Sequence, residues 1–99
     1  MRLSRVQAQR AIRRMLRRLQ DELCPICGGH MPLRHENKHL YPTLDHVIPR
    51  SLGGANAIGN LLVAHAICNV RKGSSIPTGC QIIWLLAINN RLGVKPDRI

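Results

Sequence analysis

The order of hydrophobic and polar positions predicts a basic helix near the start of the chain. Between residues 5 and 23, apolar side chains recur at helical spacing, and most arginines of the same segment lie off that stripe. The stripe consists of Ile12, Met15, Leu16, Leu19 and Leu23, and the arginines are Arg10, Arg13, Arg14, Arg17 and Arg18. The pattern is typical of an amphipathic helix that docks its apolar side on the rest of the protein.

The remainder of the chain alternates between short apolar runs and polar, glycine-rich segments. We predict a tight turn at 24–29, a loop at 30–39, a strand at 40–48, a loop at 49–59, a strand at 61–64, a helix at 66–72, a linker at 74–78 and a helix at 81–92. The last helix has apolar positions at Ile82, Ile83, Leu85, Leu86 and Ile88, and Gly93 and Pro96 close it.

The length of the chain predicts one domain over residues 1–99, with a basic helix at 5–23, a core at 24–73 and a helical extension at 74–99. A chain of 99 residues buries a thin core. It has no Phe, and Trp84 and Tyr41 are its only large aromatic side chains. A structural metal is a common source of additional stability in domains of this size.

The charge is strongly positive, with 15 Lys and Arg against five Asp and Glu and a formal net charge of +10. Nucleic acid is the leading partner, because cationic side chains neutralise phosphates and release their counterions. The arginines of the first helix favour the same partner, since without a nearby acid they repel one another. An anionic membrane surface and an ordinary solvated basic face are the alternatives.

The four cysteines, Cys24, Cys27, Cys68 and Cys80, indicate metal binding rather than disulfides. The first twenty residues hold seven arginines and no apolar block of the length that a secretory signal needs. The longest apolar run, residues 82–88, is too short to span a bilayer. We therefore expect a cytoplasmic protein with reduced thiols.

Two short-spaced pairs of soft ligands predict a structural zinc site. Cys24 and Cys27 form a Cys-x-x-Cys pair, and His65 and Cys68 form a second pair with the same spacing. Together they give a Cys₃His set, which suits closed tetrahedral zinc. Cys80 is the alternative fourth ligand in place of His65. Otherwise we expect Cys80, beside an apolar helix, to be a buried free thiol.

A second set of residues has the chemistry of a hydrolytic centre. Asp45 and Asn69 offer hard oxygen ligands that suit Mg²⁺ or Mn²⁺. His46 follows Asp45 directly, and an imidazole can accept a proton near neutral pH. Asn69 follows the predicted zinc ligand Cys68, so the zinc site also fixes its backbone. Arg50, Arg71 and Lys72 are close enough in sequence to clamp neighbouring phosphates.

These segments resemble the HNH endonuclease family in its zinc-stabilised form. The resemblance is carried by the upstream Cys-x-x-Cys and by three motif segments: Asp-His-Val-Ile-Pro-Arg-Ser-Leu-Gly-Gly at 45–54, Asn-Leu at 60–61 and His-Ala-Ile-Cys-Asn-Val-Arg-Lys-Gly at 65–73. It implies a small α+β fold with a ββα-metal (His-Me finger) core and a structural zinc, flanked here by the N-terminal basic helix and a C-terminal helix. Asn69 stands where some members have His, and His65 where many have Cys.

The resemblance also implies an activity and assigns roles. His46 would be the general base, Asn60 the central motif asparagine, and Asp45 and Asn69 the ligands of a catalytic Mg²⁺ or Mn²⁺. We expect a DNA endonuclease that nicks or cuts duplex DNA, leaving 5′-phosphate and 3′-hydroxyl ends. The alternatives are a zinc-stabilised DNA-binding module without catalysis and a phage packaging factor with a terminase partner, which would act in the host cytoplasm.

Overall fold

The computed structural model describes residues 2–33 and 36–95. Pro96, which was predicted to close the last helix, lies outside these ranges. Its helices and strands are α1 (Arg5–Leu19), β1 (Pro42–His46), β2 (Leu61–His65), α2 (Ala66–Lys72) and α3 (Gly79–Leu92). Single 3₁₀ turns precede β1 and interrupt the connection between the strands. The predicted small α+β fold is confirmed, and β1, β2 and α2 form its ββα core.

Helix α1 is shorter than the predicted 5–23 because the chain turns sharply after Gln20. Ser4 caps the start of the helix through a hydrogen bond to the Gln7 backbone N–H. At the other end, Asp21 and Glu22 adopt left-handed backbone angles, with φ of 54° and 62°. The buried Gln20 side chain donates to the Val63 carbonyl and accepts from the Val63 N–H. This contact fixes α1 to the outer edge of β2.

The two strands form an antiparallel hairpin in which Asp45 lies opposite Leu62 and His46 opposite Leu61. Since successive side chains of a strand point to opposite faces, Asp45 and His46 leave β1 on different sides. β2 is buried along its whole length and packs against β1, α1 and α2. The hairpin is therefore the central element on which both candidate sites are built.

The core lies between the hairpin, α1 and α3. Its buried apolar side chains include Leu16 of α1, Leu62 and Val63 of β2, and Leu85 and Ile88 of α3. Four apolar positions of the predicted helical stripes are more exposed than expected: Met15, Leu23, Ile83 and Leu86. None of the helices in the described ranges is both long and apolar enough to cross a membrane.

Candidate metal centre and catalytic groove

Cys24, Cys27, His65 and Cys68 come together as a group that can hold a metal ion. Their ligand atoms all lie within 4.8 Å of one another. A tetrahedral zinc ion lies about 2.3 Å from each sulfur and about 2.0–2.1 Å from a histidine nitrogen, so the group needs only a small contraction to bind it. The chemistry of three thiols and one imidazole fits zinc.

The turn that carries Cys24 and Cys27 is shaped by two glycines. Gly28 has φ of 77°, a conformation that other residues rarely adopt, and its N–H donates to the Cys24 carbonyl at 2.8 Å. The Gly29 N–H donates to Cys27 Sγ at 3.4 Å. A Cβ on Gly29 would meet this sulfur at 3.4 Å and the His65 ring at 3.5 Å. Those distances are ordinary van der Waals contacts, so Gly28, with its left-handed backbone, is the glycine that the turn requires.

The hydrogen bonds of His65 prepare one of its ring nitrogens for zinc. Nε2 lies 2.7 Å from the backbone oxygen of His30, which can only accept, so Nε2 carries the hydrogen. Nδ1 therefore has a free lone pair and lies 3.3 Å from Cys27 Sγ and 3.8 Å from Cys68 Sγ. A backbone carbonyl that orients a histidine in this way is a common outer contact of zinc sites.

The pKa values of two thiols in the group are shifted in opposite directions. Burial raises the pKa of Cys68 to about 12, and the charge of Cys24 adds to this rise. Burial also acts to raise the pKa of Cys27, but hydrogen bonds, first that from the Gly29 N–H, lower it to about 7. Without a cation, Cys68 therefore stays protonated at neutral pH. A bound zinc ion supplies the positive charge that stabilises several thiolates together.

Cys80 is not part of this group. It lies in the first turn of α3 and is exposed, so the prediction of a buried thiol is wrong. The apolar residues of α3 that are buried follow Cys80 in the helix, and the helix start points its thiol to solvent. The geometry therefore favours His65 over Cys80 as the fourth ligand.

Asp45, His46 and Asn69 line one small cavity of about 270 Å³ between β1, α2 and the loop after β1. The Asn69 amide nitrogen donates to Thr43 Oγ1 at 3.2 Å and to the Leu44 carbonyl at 3.0 Å. These bonds fix the amide and leave its Oδ1 without a donor among the described residues. A carboxylate and a free amide oxygen at one cavity are donors that fit a hard divalent cation.

Lys72 was predicted to bind a neighbouring phosphate, but its side chain is buried in an ion pair. Its Nζ donates to Asp45 Oδ1 at 2.8 Å and to the His46 carbonyl at 2.9 Å, and both side chains of the ion pair are almost fully buried. A buried ammonium with these partners is not free to bind a phosphate. Lys72 instead positions Asp45, whose Oδ2 has no hydrogen bond in the described part of the chain.

His46 is oriented by a residue that the sequence did not single out. Its Nε2 lies 3.0 Å from Oδ1 of Asn56 in the loop between the strands. Because an amide oxygen only accepts, Nε2 carries the hydrogen and Nδ1 has a free lone pair. A proton acceptor is the form that a general base requires. No spacing rule links Asn56 to His46, since the loop conformation alone brings them together.

Asn60 holds the start of that loop, and its hydrogen bonds in the described part of the chain do not include His46. It is fully buried, accepts from the Ile48 N–H, and donates to the carbonyls of Ile48 and Ala55, each at 2.9 Å. Gly54 packs so closely here that a Cβ would meet the Ile48 carbonyl oxygen. Asn60 therefore joins the two ends of the loop segment between Ile48 and Ala55, next to Asn56.

The predicted phosphate-binding arginines are not equivalent. Arg17 donates through Nε to the Met31 carbonyl at 2.7 Å and pairs with Glu22 at 3.4 Å, so its guanidinium already has partners in the protein. The others are exposed or half-buried: Arg10, Arg13, Arg14, Arg18, Arg50 and Arg71. Arg50 lines the cavity of Asp45 and Asn69.

A comparison with protein families matches residues 24–75 to the HNH endonuclease family. This segment begins at the first zinc ligand and contains both candidate sites. A comparison with curated proteins finds no match. The matched segment covers more than half of the chain, and its hairpin, helix and metal ligands have the arrangement described above. The chain therefore belongs to the HNH endonuclease family.

Proposed function

We propose that this protein is a divalent-cation-dependent DNA endonuclease in which His46 is the general base. The observation that supports the proposal is that Asp45, His46 and Asn69 line one cavity, since a general base and two hard oxygen donors are the groups that such a reaction needs. The net charge of +10 supports a nucleic-acid substrate. The low aromatic content favours duplex DNA over a single strand that needs stacking partners.

In the proposed reaction, His46 Nδ1 takes a proton from a water molecule while Asn56 holds the opposite ring nitrogen. The water oxygen attacks phosphorus, the bond between phosphorus and the 3′ oxygen breaks, and the 3′ oxygen takes a proton from a solvent water. The products are a 5′-phosphate and a 3′-hydroxyl. Asp45 and Asn69 would hold Mg²⁺ or Mn²⁺, which supplies Lewis-acid stabilisation of the phosphoryl and leaving oxygens. Arg50, at the rim of the cavity, would bind a neighbouring phosphate.

Zinc has a separate role in this proposal. The Cys₃His group lies at the start of α2 and fixes Cys68, and through it the backbone of the adjacent Asn69. Zinc would thus stabilise the fold and position a ligand of the catalytic cation. A terminase partner and a phage setting stay predictions from the family resemblance.

The test is cleavage of supercoiled plasmid by zinc-loaded protein that has been freed of other divalent ions. We expect nicking only after Mg²⁺ or Mn²⁺ is added, and a strong loss of nicking in Asn69→Ala and Asp45→Asn. The matched control is Asn90→Ala, an exposed asparagine on α3. Binding of the plasmid without cleavage under every cation condition would instead identify a DNA-binding module.

A further inference from the structure

A groove of about 860 Å³ separates α1 from the His46 side of the hairpin. Arg5, Gln9 and Arg13 of α1 line one side of it, and His46, Arg50 and Asn56 line the other. Helix α1 ends before residue 24, so its side of the groove lies outside the segment that matches the family. The groove is therefore a feature of this chain that the family match does not explain.

The residues on the α1 side share one edge of the helix. Arg5, Gln9 and Arg13 follow one another at intervals of four residues, which places them in a row. At 1.5 Å per residue, the row from Arg5 to Arg13 is about 12 Å long. One strand of a DNA duplex advances about 3.4 Å along the axis per phosphate, so a row parallel to the duplex axis spans roughly three to four phosphate steps.

The arginines around the groove have no anionic partner in the protein. Within residues 2–33 and 36–95, Arg5, Arg13 and Arg50 form no ion pair. Arg13 is half-buried, and no acceptor in those ranges receives a hydrogen bond from its guanidinium. A partly desolvated guanidinium without acceptors is unfavourable. A bound anion would remove this penalty.

The groove and the candidate cation cavity meet at His46. His46 and Arg50 line both hollows, whereas Asp45 and Asn69 line only the cavity and Arg5 and Arg13 only the groove. A DNA strand with one phosphate at His46 can therefore continue along the groove. Its next phosphates would then lie beside the row on α1.

We propose that Arg5, Gln9 and Arg13 form a phosphate-binding row for the DNA strand that is cut, on the side of His46 away from the cation cavity. The proposal rests on DNA as the substrate of the proposed function. It assigns substrate positioning to the N-terminal helix, and to one edge of that helix rather than to all its arginines.

The test compares two double variants with the same change of charge on the same helix. R5Q/R13Q removes the row, and R14Q/R18Q removes two arginines that line a separate hollow beside Leu33. Both are made in the zinc-loaded His46→Ala chain, and binding to a fluorescent DNA duplex is measured by anisotropy between about 50 and 200 mM salt. R5K/R13K keeps the charges of the row.

We expect R5Q/R13Q to reduce the slope of log K against log salt by about 1.8, since each lost phosphate contact changes it by about 0.9. R14Q/R18Q should reduce the slope by less than half as much, and R5K/R13K should keep it. Equal reductions in both glutamine variants, or no reduction in R5Q/R13Q, would overturn the proposal. The binding measurement does not require cleavage. An absence of nuclease activity in the wild type would therefore refute the proposed reaction without deciding whether the row binds phosphates.

Discussion

The hydrogen bond between His46 and Asn56 decides which imidazole nitrogen can take a proton. Asn56→Ala removes an acceptor at 3.0 Å and lets the ring change tautomer. A neutral hydrogen bond contributes about 0.5–1.5 kcal/mol, so we expect kcat to fall roughly two- to tenfold with little change in DNA affinity. Single-turnover cleavage and anisotropy measure the two quantities separately. A loss of binding that matched the loss of kcat would contradict a positioning role.

Asn56→Asp tests the same contact through pH. A carboxylate at this position stabilises the protonated, inactive form of the His46 ring. The acid limb of the pH–activity profile should therefore move to higher pH, and activity below neutral pH should fall more than activity above it. Asn90→Asp, the same substitution at an exposed position of α3, is the control for added charge. An unchanged profile in Asn56→Asp would separate Asn56 from the reaction.

Lys72 provides a second residue-scale prediction. Lys72→Met leaves the Asp45 carboxylate buried without its ammonium partner, which typically costs about 3–5 kcal/mol of unfolding free energy. Arg71→Met, at the exposed neighbouring position, should change stability by less than about 0.5 kcal/mol. Urea unfolding of the zinc-loaded proteins measures both. If both variants lowered the free energy of unfolding by the same small amount, the ion pair would not be what holds Asp45 in place.

Several residue roles could not be predicted from the sequence because they depend on tertiary contacts. The spacing of Cys24, Cys27, His65 and Cys68 was sufficient to predict their grouping, since short pairs converge locally. The partners of Lys72 and His46 are 27 and ten positions away in the chain and have no periodic relation. An expected surface lysine therefore became a buried ion pair.

At the scale of elements, we propose that one zinc ion joins the turn at Cys24 to the start of α2. Cys24→Ser removes a buried ligand, and structural zinc contributes apparent free energies of about 10–16 kcal/mol in small fingers. We expect this variant to bind no zinc and to lose its cooperative unfolding transition. Metal analysis and circular dichroism test this directly.

Cys80→Ser is the matched control for the zinc site. Cys80 is exposed and outside the ligand group, so this variant should keep one zinc per chain and the stability of the wild type. Loss of zinc from Cys80→Ser, with retention in His65→Ala, would assign the fourth ligand to Cys80 and contradict the geometry described here.

The elements themselves were largely predictable, and the differences have local causes. The helix at 66–72 was predicted correctly because Gly73 ends it. Both strands were also predicted, and three of their four ends differ from the prediction by one or two residues. The predicted end of α1 at residue 23 was wrong. Its apolar stripe continues to Leu23, but the Gln20 side chain bonds to β2 and the next two residues turn the chain.

At the scale of the whole molecule, three arginines, Arg5, Arg13 and Arg50, line the groove where the proposed substrate would lie. Two of the five acids, Glu22 and Asp45, are occupied in ion pairs with Arg17 and Lys72. The arginines around the groove have no such partner in the described residues. In the proposed function, the soft ligands of this small domain would hold zinc and these arginines would hold a phosphate backbone.

The most direct test of the central claim is single-turnover cleavage of duplex DNA by the wild type and His46→Ala, with added Mg²⁺ or Mn²⁺. We expect the variant to lose roughly 10²–10⁴-fold in rate, the contribution of a general base, while its DNA affinity and zinc content stay unchanged. Products of the wild type should carry 5′-phosphate and 3′-hydroxyl ends. Cleavage by His46→Ala at the wild-type rate would contradict the assignment of His46 as the general base.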